Sequence, residues 1–310
     1  MVWGIQSLPK RVVPNSCLYA ISSSCFSTLK SPRKRMRTVQ VESESSTESE
    51  SSVEKRTEVV SEVLDHEVPY ILKQRTEEWQ VLRQERLTAS TFASALGFYG
   101  NYRRSELWAQ KLGLQKPFPG NTATDWGIRR EAAAIQKYEE FTGMTLSYLA
   151  FKIYKEGDKQ FEWIGGSPDA LVDPKDPDAR NGILEVKCPY NLGKPEFCVP
   201  PSDVPYHYIP QVQGLMEILD RDWLDLFIWT VNGSALFRVE RDPDYWELIF
   251  DVLKDFWWGS VAPARKALAK QKDINVNVFK PVLRHKLTPT VIKESKRLAK
   301  RSLLINKFLS

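Results

Sequence analysis

The sequence predicts an α/β (α+β) domain in which a mixed central sheet is flanked by helices. Three observations point there. Segments with helical apolar spacing precede and follow a central block of short alternating segments, which is the pattern of helices packed on a sheet. Apolar patterning runs from near Val68 to about Leu268, roughly 200 residues, a span that suits one compact unit. Asn232-Gly233 between WTV and SALFRV is a hairpin signal, because a two-residue type I′ turn needs positive φ at both central positions.

In chain order, helices are expected over 75–85, 89–96, 104–112, 127–142, 205–219 and 243–258. Strands are expected over 150–155, 161–165, 169–172, 183–187, 224–231 and 234–240. In the first helix Trp79 and Arg83 stand four apart, hence on one face. LTAS then starts the second, with Thr88 or Ser90 as its cap. The helix EAAAIQKYEEFTG opens on Glu131 and carries the stripe Ile135, Tyr138 and Phe141. Pro210 falls inside the 205–219 pattern, so that helix starts or bends there. Asp242 and Pro243 read as N-cap and N1 of the last helix, whose buried face is Tyr245, Leu248, Ile249, Val252, Leu253 and Phe256.

Charge divides the chain further. The net charge is +5, yet residues 1–41 hold seven Lys/Arg and no acid, and residues 280–310 hold nine against Glu294 alone. The ends thus carry +7 and +8, which leaves −10 for the segment between them. Most of that lies in residues 42–67, with nine acids and two bases. A nucleic-acid partner therefore cannot be argued from global charge. Residues 1–41, with seven serines, have the composition of a transit peptide, pointing to a mitochondrion or chloroplast. SPRKRMR offers a nuclear signal as the alternative, and an unprocessed solvated tail is the plain one. Residues 42–67 read as an acidic Ser/Glu-rich disordered linker, 68–268 as the catalytic-size domain, and 269–310 as a basic C-terminal tail.

Charged residues break every apolar stretch, so no membrane-spanning helix is expected. Cys17, Cys25, Cys188 and Cys198, with His66, His207 and His285, are too scattered for a zinc module or a disulfide framework. Chemistry must rest on carboxylates, lysine and arginine.

GGSPDALVDPKDPDARNGILEVKCP, residues 165–189, is the most informative stretch. On a strand, Glu185 and Lys187 share one face while Leu184 and Val186 share the other. If the strand of Asp169 pairs antiparallel with it, Asp169 and Glu185 approach each other, a like-charge conflict that a divalent cation removes. Two carboxylates, a backbone carbonyl and waters suit Mg²⁺, and Lys187 then lies beside the ion. The bland reading is a surface hairpin with solvated charges. Flanking Ile183, Leu184 and Pro189 favour a buried strand instead.

The chain resembles the PD-(D/E)xK nuclease superfamily, and within it the phage lambda exonuclease and YqaJ-type viral recombinase nucleases. The resemblance covers about residues 75–260. It rests on EWQVLRQERLTAS (78–90), WGIRRE (126–131), GGSPDALV (165–172), LEVKCP (184–189) and YIPQVQGLM (208–216), in that order. It implies a restriction-endonuclease-like core and a Mg²⁺-dependent DNA nuclease, with Mn²⁺ as the expected substitute, acting as an exonuclease from 5′ ends in DNA maintenance or recombination. Asp169 and Glu185 match its metal-binding acids, Lys187 its catalytic lysine and Glu131 its upstream glutamate, and the carbonyl of Val186 becomes a further ligand. Arg83 and Ser90, joined by Ser167, match residues that receive a terminal phosphate. Gln211 matches the active-site glutamine of the last motif, with Tyr208 nearby.

The residues alone leave other readings open. Glu131 in a first turn complements the helix dipole, Thr88 or Ser90 is a simple cap, and Gln211 is a polar residue on a half-buried helix. Tryptophans 108, 163, 223, 229, 246, 257 and 258 read as core, and Cys188 has no histidine near in sequence to make it a nucleophile. The expected partner is DNA with linear duplex ends; a homo-oligomer is left open, and no membrane is implied. The competing functions are a catalytically silent nucleic-acid-binding protein on the same fold, and an endonuclease or RNA-directed nuclease.

Overall fold

The computed structural model describes residues 74–309 apart from 101, 116–119, 174–179 and 272. The expected transit peptide and acidic linker lie outside the described residues.

Thr76 caps the first helix, α1 (Glu77–Glu85), by accepting the Trp79 N–H at 3.3 Å. A two-residue strand, β1 (Leu87–Thr88), leads into a 3₁₀ turn, Ala89–Thr91, and a four-residue helix, α2 (Phe92–Ala95). The continuous helix expected over 89–96 is therefore broken. Thr88 and Thr91 exchange side-chain and backbone hydrogen bonds across the turn, the local competition that keeps hydroxyl residues out of regular helix. After α3 (Arg103–Lys111) comes the longest helix, α4 (Thr122–Thr142), of 21 residues. It begins five residues before its expected start, because Asn121 and Thr124 form a capping box ahead of Trp126, and it ends at Gly143, whose φ of +62° suits a residue without Cβ. Glu131 thus sits mid-helix rather than in a first turn, and the dipole reading of it fails.

Short strands follow: β2 (Thr145–Ser147), β3 (Lys152–Ile153), β4 (Ile164–Gly166), β5 (Ala170–Asp173) and β6 (Gly182–Lys187). Then come α5 (Ile209–Leu219), β7 (Trp223–Thr230), β8 (Gly233–Glu240) and α6 (Pro243–Phe256), continued by a π turn (Trp257–Val261) into α7 (Ala262–Lys270). The chain closes with α8 (Thr288–Arg301) and β9 (Leu303–Leu309).

Six strands form one sheet in the order β2-β5-β6-β7-β8-β9, and β1-β4-β3 form a second, small one. In the large sheet β6 and β7 are parallel, joined through α5, and the other neighbours are antiparallel. The pleat sorts the apolar residues of β7 onto two faces. Leu224, Leu226 and Ile228 join the core under α5 and α6, while Trp223 and Phe227 join a second core with Ala134, Ile135 and Tyr138 of α4. Under α4 the buried Asp225 is matched by the Tyr138 hydroxyl at 2.9 Å and by two Arg238 nitrogens at 2.9 Å each, so its charge is structural.

Two further expectations need correction. The β7–β8 hairpin exists, but Thr230 pairs with Gly233, so the turn is Val231-Asn232, and neither residue has the positive φ of a type I′ turn. Asn232 instead spends its side chain on the carbonyls of Glu196 and Cys198, at 2.7 and 2.8 Å. Nor is the C-terminus an appended basic tail. Val291, Leu298 and Ala299 of α8 are buried in the main core, and β9 pairs with β8. The sequence hid this because the basic residues of α8 crowd its outer face, as the amphipathic spacing of Val291, Ser295 and Leu298 requires.

Candidate nuclease active site

The antiparallel register Ala170↔Leu184 puts Asp169 opposite Glu185 at the mouth of the β5–β6 pair, as the sequence requires. Asp169 Oδ2 accepts the Val186 N–H at 2.7 Å, which fixes the aspartate against the strand. Glu185 is buried, and on the same face its Oε1 receives both the Lys187 ammonium and the Gln211 amide. Pro210 does not displace Gln211. It occupies the first turn of α5, where a missing N–H costs nothing, and the helix starts at Ile209 in time to aim Gln211 at Glu185. Lys187 also lies 5.6 Å from the centre of the Tyr208 ring. From the other side α4 brings Glu131, so that Glu131, Asp169, Val186, Lys187 and Cys188 line one cleft of about 160 Å³ with Thr124, Gly127 and Ile128.

The electrostatics are those of crowded acids. Burial first, and then Asp169, push the Glu131 carboxyl up to about 8. Burial and the same neighbour raise Glu185, although Lys187 works the other way. Asp169 is raised chiefly by burial, against the pull of Lys187. Burial opposes charge on Lys187, yet Glu185 and Asp169 outweigh it and hold the ammonium above its ordinary range. One ammonium thus faces three acids.

A divalent cation fits this arrangement. Glu185 Oε2 is buried with no hydrogen-bond partner, a costly state for a carboxylate oxygen that an ion beside it would relieve. Among the described residues no group of three or more His, Cys, Asp or Glu side chains is placed to hold a metal ion. The donors are instead Asp169 and Glu185 at an open cleft, an oxygen-only pair suited to a hard divalent cation. Cys188 is no nucleophile: burial, then Glu131 and Asp169, push its thiol up to about 12.

A second cluster adjoins the first. Arg83 stacks over Trp79 at 4.3 Å and donates to Ser90 Oγ at 3.2 Å, while Trp79 Nε1 donates to Ser167 Oγ at 2.8 Å. Arg83, Ser90 and Ser167 are thereby brought together, and Ser167 lies two residues from Asp169. Helix-start amides contribute little there, since α2 is one short turn. Among the described residues Arg83 pairs with no acid, and burial lowers its guanidinium to about 10. The helix holding it is fixed from below. Lys111 donates to the Arg83 carbonyl, and Arg265 donates to the carbonyls of Gln84 at 2.7 Å, Glu85 at 3.2 Å and Lys111 at 2.7 Å. Both cations satisfy the C-terminal carbonyls of α1.

Sequence reasoning missed Lys111, Arg265 and an aromatic group on the cleft rim. Trp229, expected in the core, is half-buried, with its ring 6.5 Å from Trp126 and Arg130 lying over both rings. Trp258 is likewise exposed rather than core. The i,i+4 spacing of Trp126 and Arg130 was the available signal, hidden because α4 was begun one residue too late to include Trp126.

Residues 78–222 match the YqaJ-like viral recombinase domain. No curated protein matches the chain. Among solved structures, an alkaline exonuclease (LHK-Exo) from Laribacter hongkongensis is 24% identical, with 64% of this chain and 98% of that one covered at a TM-score of 0.49. A phage-related exonuclease from Haemophilus somnus 129PT is 16% identical over 60% of this chain and 96% of its own, at a TM-score of 0.41. The matched segment holds both clusters, from Arg83 to Gln211, on a mixed sheet flanked by helices: residues 78–222 are similar to the YqaJ-like viral recombinase domain.

Proposed function

We propose that this protein is a divalent-metal-dependent DNA exonuclease that hydrolyses linear duplexes from 5′ ends, in DNA maintenance or recombination. The observation that carries the reading is the unpartnered buried Oε2 of Glu185, set beside Asp169 and a charged Lys187 in a cleft also lined by Glu131. Mg²⁺, with Mn²⁺ as substitute, is the proposed ion, and it would supply Lewis-acid activation of the scissile phosphate and of water. Asp169 and Glu185 hold it, with the Val186 carbonyl as a further proposed ligand. Lys187, kept protonated by the acids around it, stabilises negative charge on the phosphate and on the departing oxygen. Gln211 orients Glu185, and Glu131 completes the acidic lining. Arg83, Ser90 and Ser167 form the proposed seat of the terminal phosphate. The basic, serine-rich segment 1–41 supports import into a mitochondrion or chloroplast, which a reporter fused to it would test.

The test is incubation of the purified chain with end-labelled linear and circular duplex DNA, with and without Mg²⁺. Linear-only, Mg²⁺-dependent digestion is expected, and Asp169→Asn and Lys187→Ala should each abolish it while the circular dichroism stays that of wild type. Activity within tenfold of wild type in either variant removes the assignment. No cleavage of DNA or RNA by the wild type would leave a silent binder.

A further inference from the structure

Arg130 is held in an unusual way for an exposed arginine. Its guanidinium carbon lies 4.7 Å from the centre of the Trp126 ring and 5.9 Å from that of Trp229, and the Tyr190 ring lies 6.0 Å from Trp126 on the far side. Among the described residues it forms no ion pair, although Glu131 is its neighbour in sequence. The clamp stands on the helix that walls the cleft. Gly127, Ile128 and Glu131 of the same helix line it, and Tyr190 follows Lys187 and Cys188 by a few residues.

An arginine free in solvent gains little from a ring contact, about 0.5–1 kcal/mol, and loses rotamer freedom by being held. Held over two indoles yet exposed, it is positioned while its N–H donors stay open to solvent. That is the form in which arginine meets the oxygens of a phosphodiester, in a bidentate and charge-assisted manner. An acidic cleft also needs such a group, because three carboxylates repel the polyanion that must enter. We infer that Arg130, held over Trp126 and Trp229, binds a backbone phosphate of the DNA strand that enters the cleft. The inference rests on the nuclease reading only in taking the cleft as the seat of a DNA strand.

The bland alternative is that Arg130 merely covers the two indoles from water. Arg130→Met separates the two, since it keeps an apolar cover and removes the charge and the donors, with Arg130→Gln as a second variant should the first fold poorly. Binding of a fluorescent linear duplex is read by anisotropy in EDTA, where no cleavage confuses it, across a salt series. The contact predicts about tenfold weaker binding and a salt slope smaller by roughly one phosphate, 0.7–0.9 in log–log units, with an unchanged melting temperature. Arg130→Lys should restore the slope and only part of the affinity. In the Mg²⁺ assay KM should rise while kcat holds. Unchanged affinity and slope overturn the contact, whether or not the melting temperature falls. If Asp169→Asn cleaves normally while Arg130→Met still flattens the slope, the phosphate contact stands and the catalytic assignment alone fails.

Discussion

At the scale of single residues, the site is a balance of charge around the Asp169–Glu185–Lys187 group, and that balance has a measurable sign. Glu131 is raised from an ordinary 4.5 to about 8 by burial and by Asp169, so without metal the folded state holds its proton longer than the unfolded chain. A group raised in this way costs stability only where it must ionise: nothing below about pH 4.5, progressively more up to pH 8, and the full amount above. Metal-free wild type should therefore melt below Glu131→Gln at pH 8 and together with it near pH 4.5, as followed by thermal unfolding in EDTA. Adding Mg²⁺ at pH 8 should close most of that gap, since the ion replaces the missing positive charge. A gap of equal size at both pH values would show that Glu131 is not the strained acid. Glu185 and Lys187 were legible in the sequence because alternation on a strand fixes which side chains share a face, Asp169 followed once its strand paired antiparallel, and Glu131 entered only through the family resemblance. Gln211 was less legible, since one proline allowed two helix starts, and Lys111 and Arg265 were invisible because they act on backbone carbonyls of α1 that no sequence pattern marks.

Elements place those residues, and α1 shows how. Its Arg83 is aimed by stacking on Trp79, one turn earlier, and the end of the helix is pinned by Lys111 from α3 and Arg265 from α7. Arg83, Lys111 and Arg265 converge with no acid in ion-pair contact among the described residues, and burial and the two guanidiniums push Lys111 down to about 7, an arrangement that an anion of high charge would relieve. A terminal phosphate carries more charge and more free oxygens than an internal diester. A charge-assisted hydrogen bond contributes about 1.5–3 kcal/mol, equivalent to about tenfold or more in binding. Arg83→Ala should accordingly slow digestion of 5′-phosphorylated linear DNA by about tenfold or more and affect 5′-hydroxyl ends much less, in parallel time courses on the two substrates. Equal slowing of both ends and of circular DNA would favour an endonuclease. The helices and strands around this pocket were readable to within a few residues wherever apolar periodicity set them. The errors fell where side chains rewrite the backbone locally: the Thr88–Thr91 exchange that broke a helix, the Asn121 box that lengthened another, and the Asn232 amide that replaced a tight turn.

For the whole molecule, the question is what the six-stranded sheet needs at its far edge. The basic C-terminal segment reads as an appendage from its charge, yet α8 packs on the main core and β9 forms the edge of the large sheet beyond β8. Thr288 Oγ1 donates to the Leu96 carbonyl at 2.7 Å, Ser295 shares a 2.7 Å hydrogen bond with the Tyr245 hydroxyl, and Phe308 stacks on Phe141 at 3.8 Å. Burying Val291 and Leu298 alone contributes about 1.5–3 kcal/mol each, and the two buried hydrogen bonds add about 1 kcal/mol apiece. Against a typical total of about 5–15 kcal/mol, losing these and the β8–β9 ladder consumes most of the stability. Removal would also open β8, whose inner residues Ala235, Leu236 and Phe237 are fully covered, as a free edge for pairing with other chains. A chain ending at residue 287 is therefore expected to be aggregated or unfolded, and to lose cleavage through loss of fold although every residue of the cleft is retained. Soluble yield, size-exclusion profile and thermal melt test this together. A soluble, monodisperse product melting within a few degrees of the full chain would return residues 288–310 to the status of an appended tail.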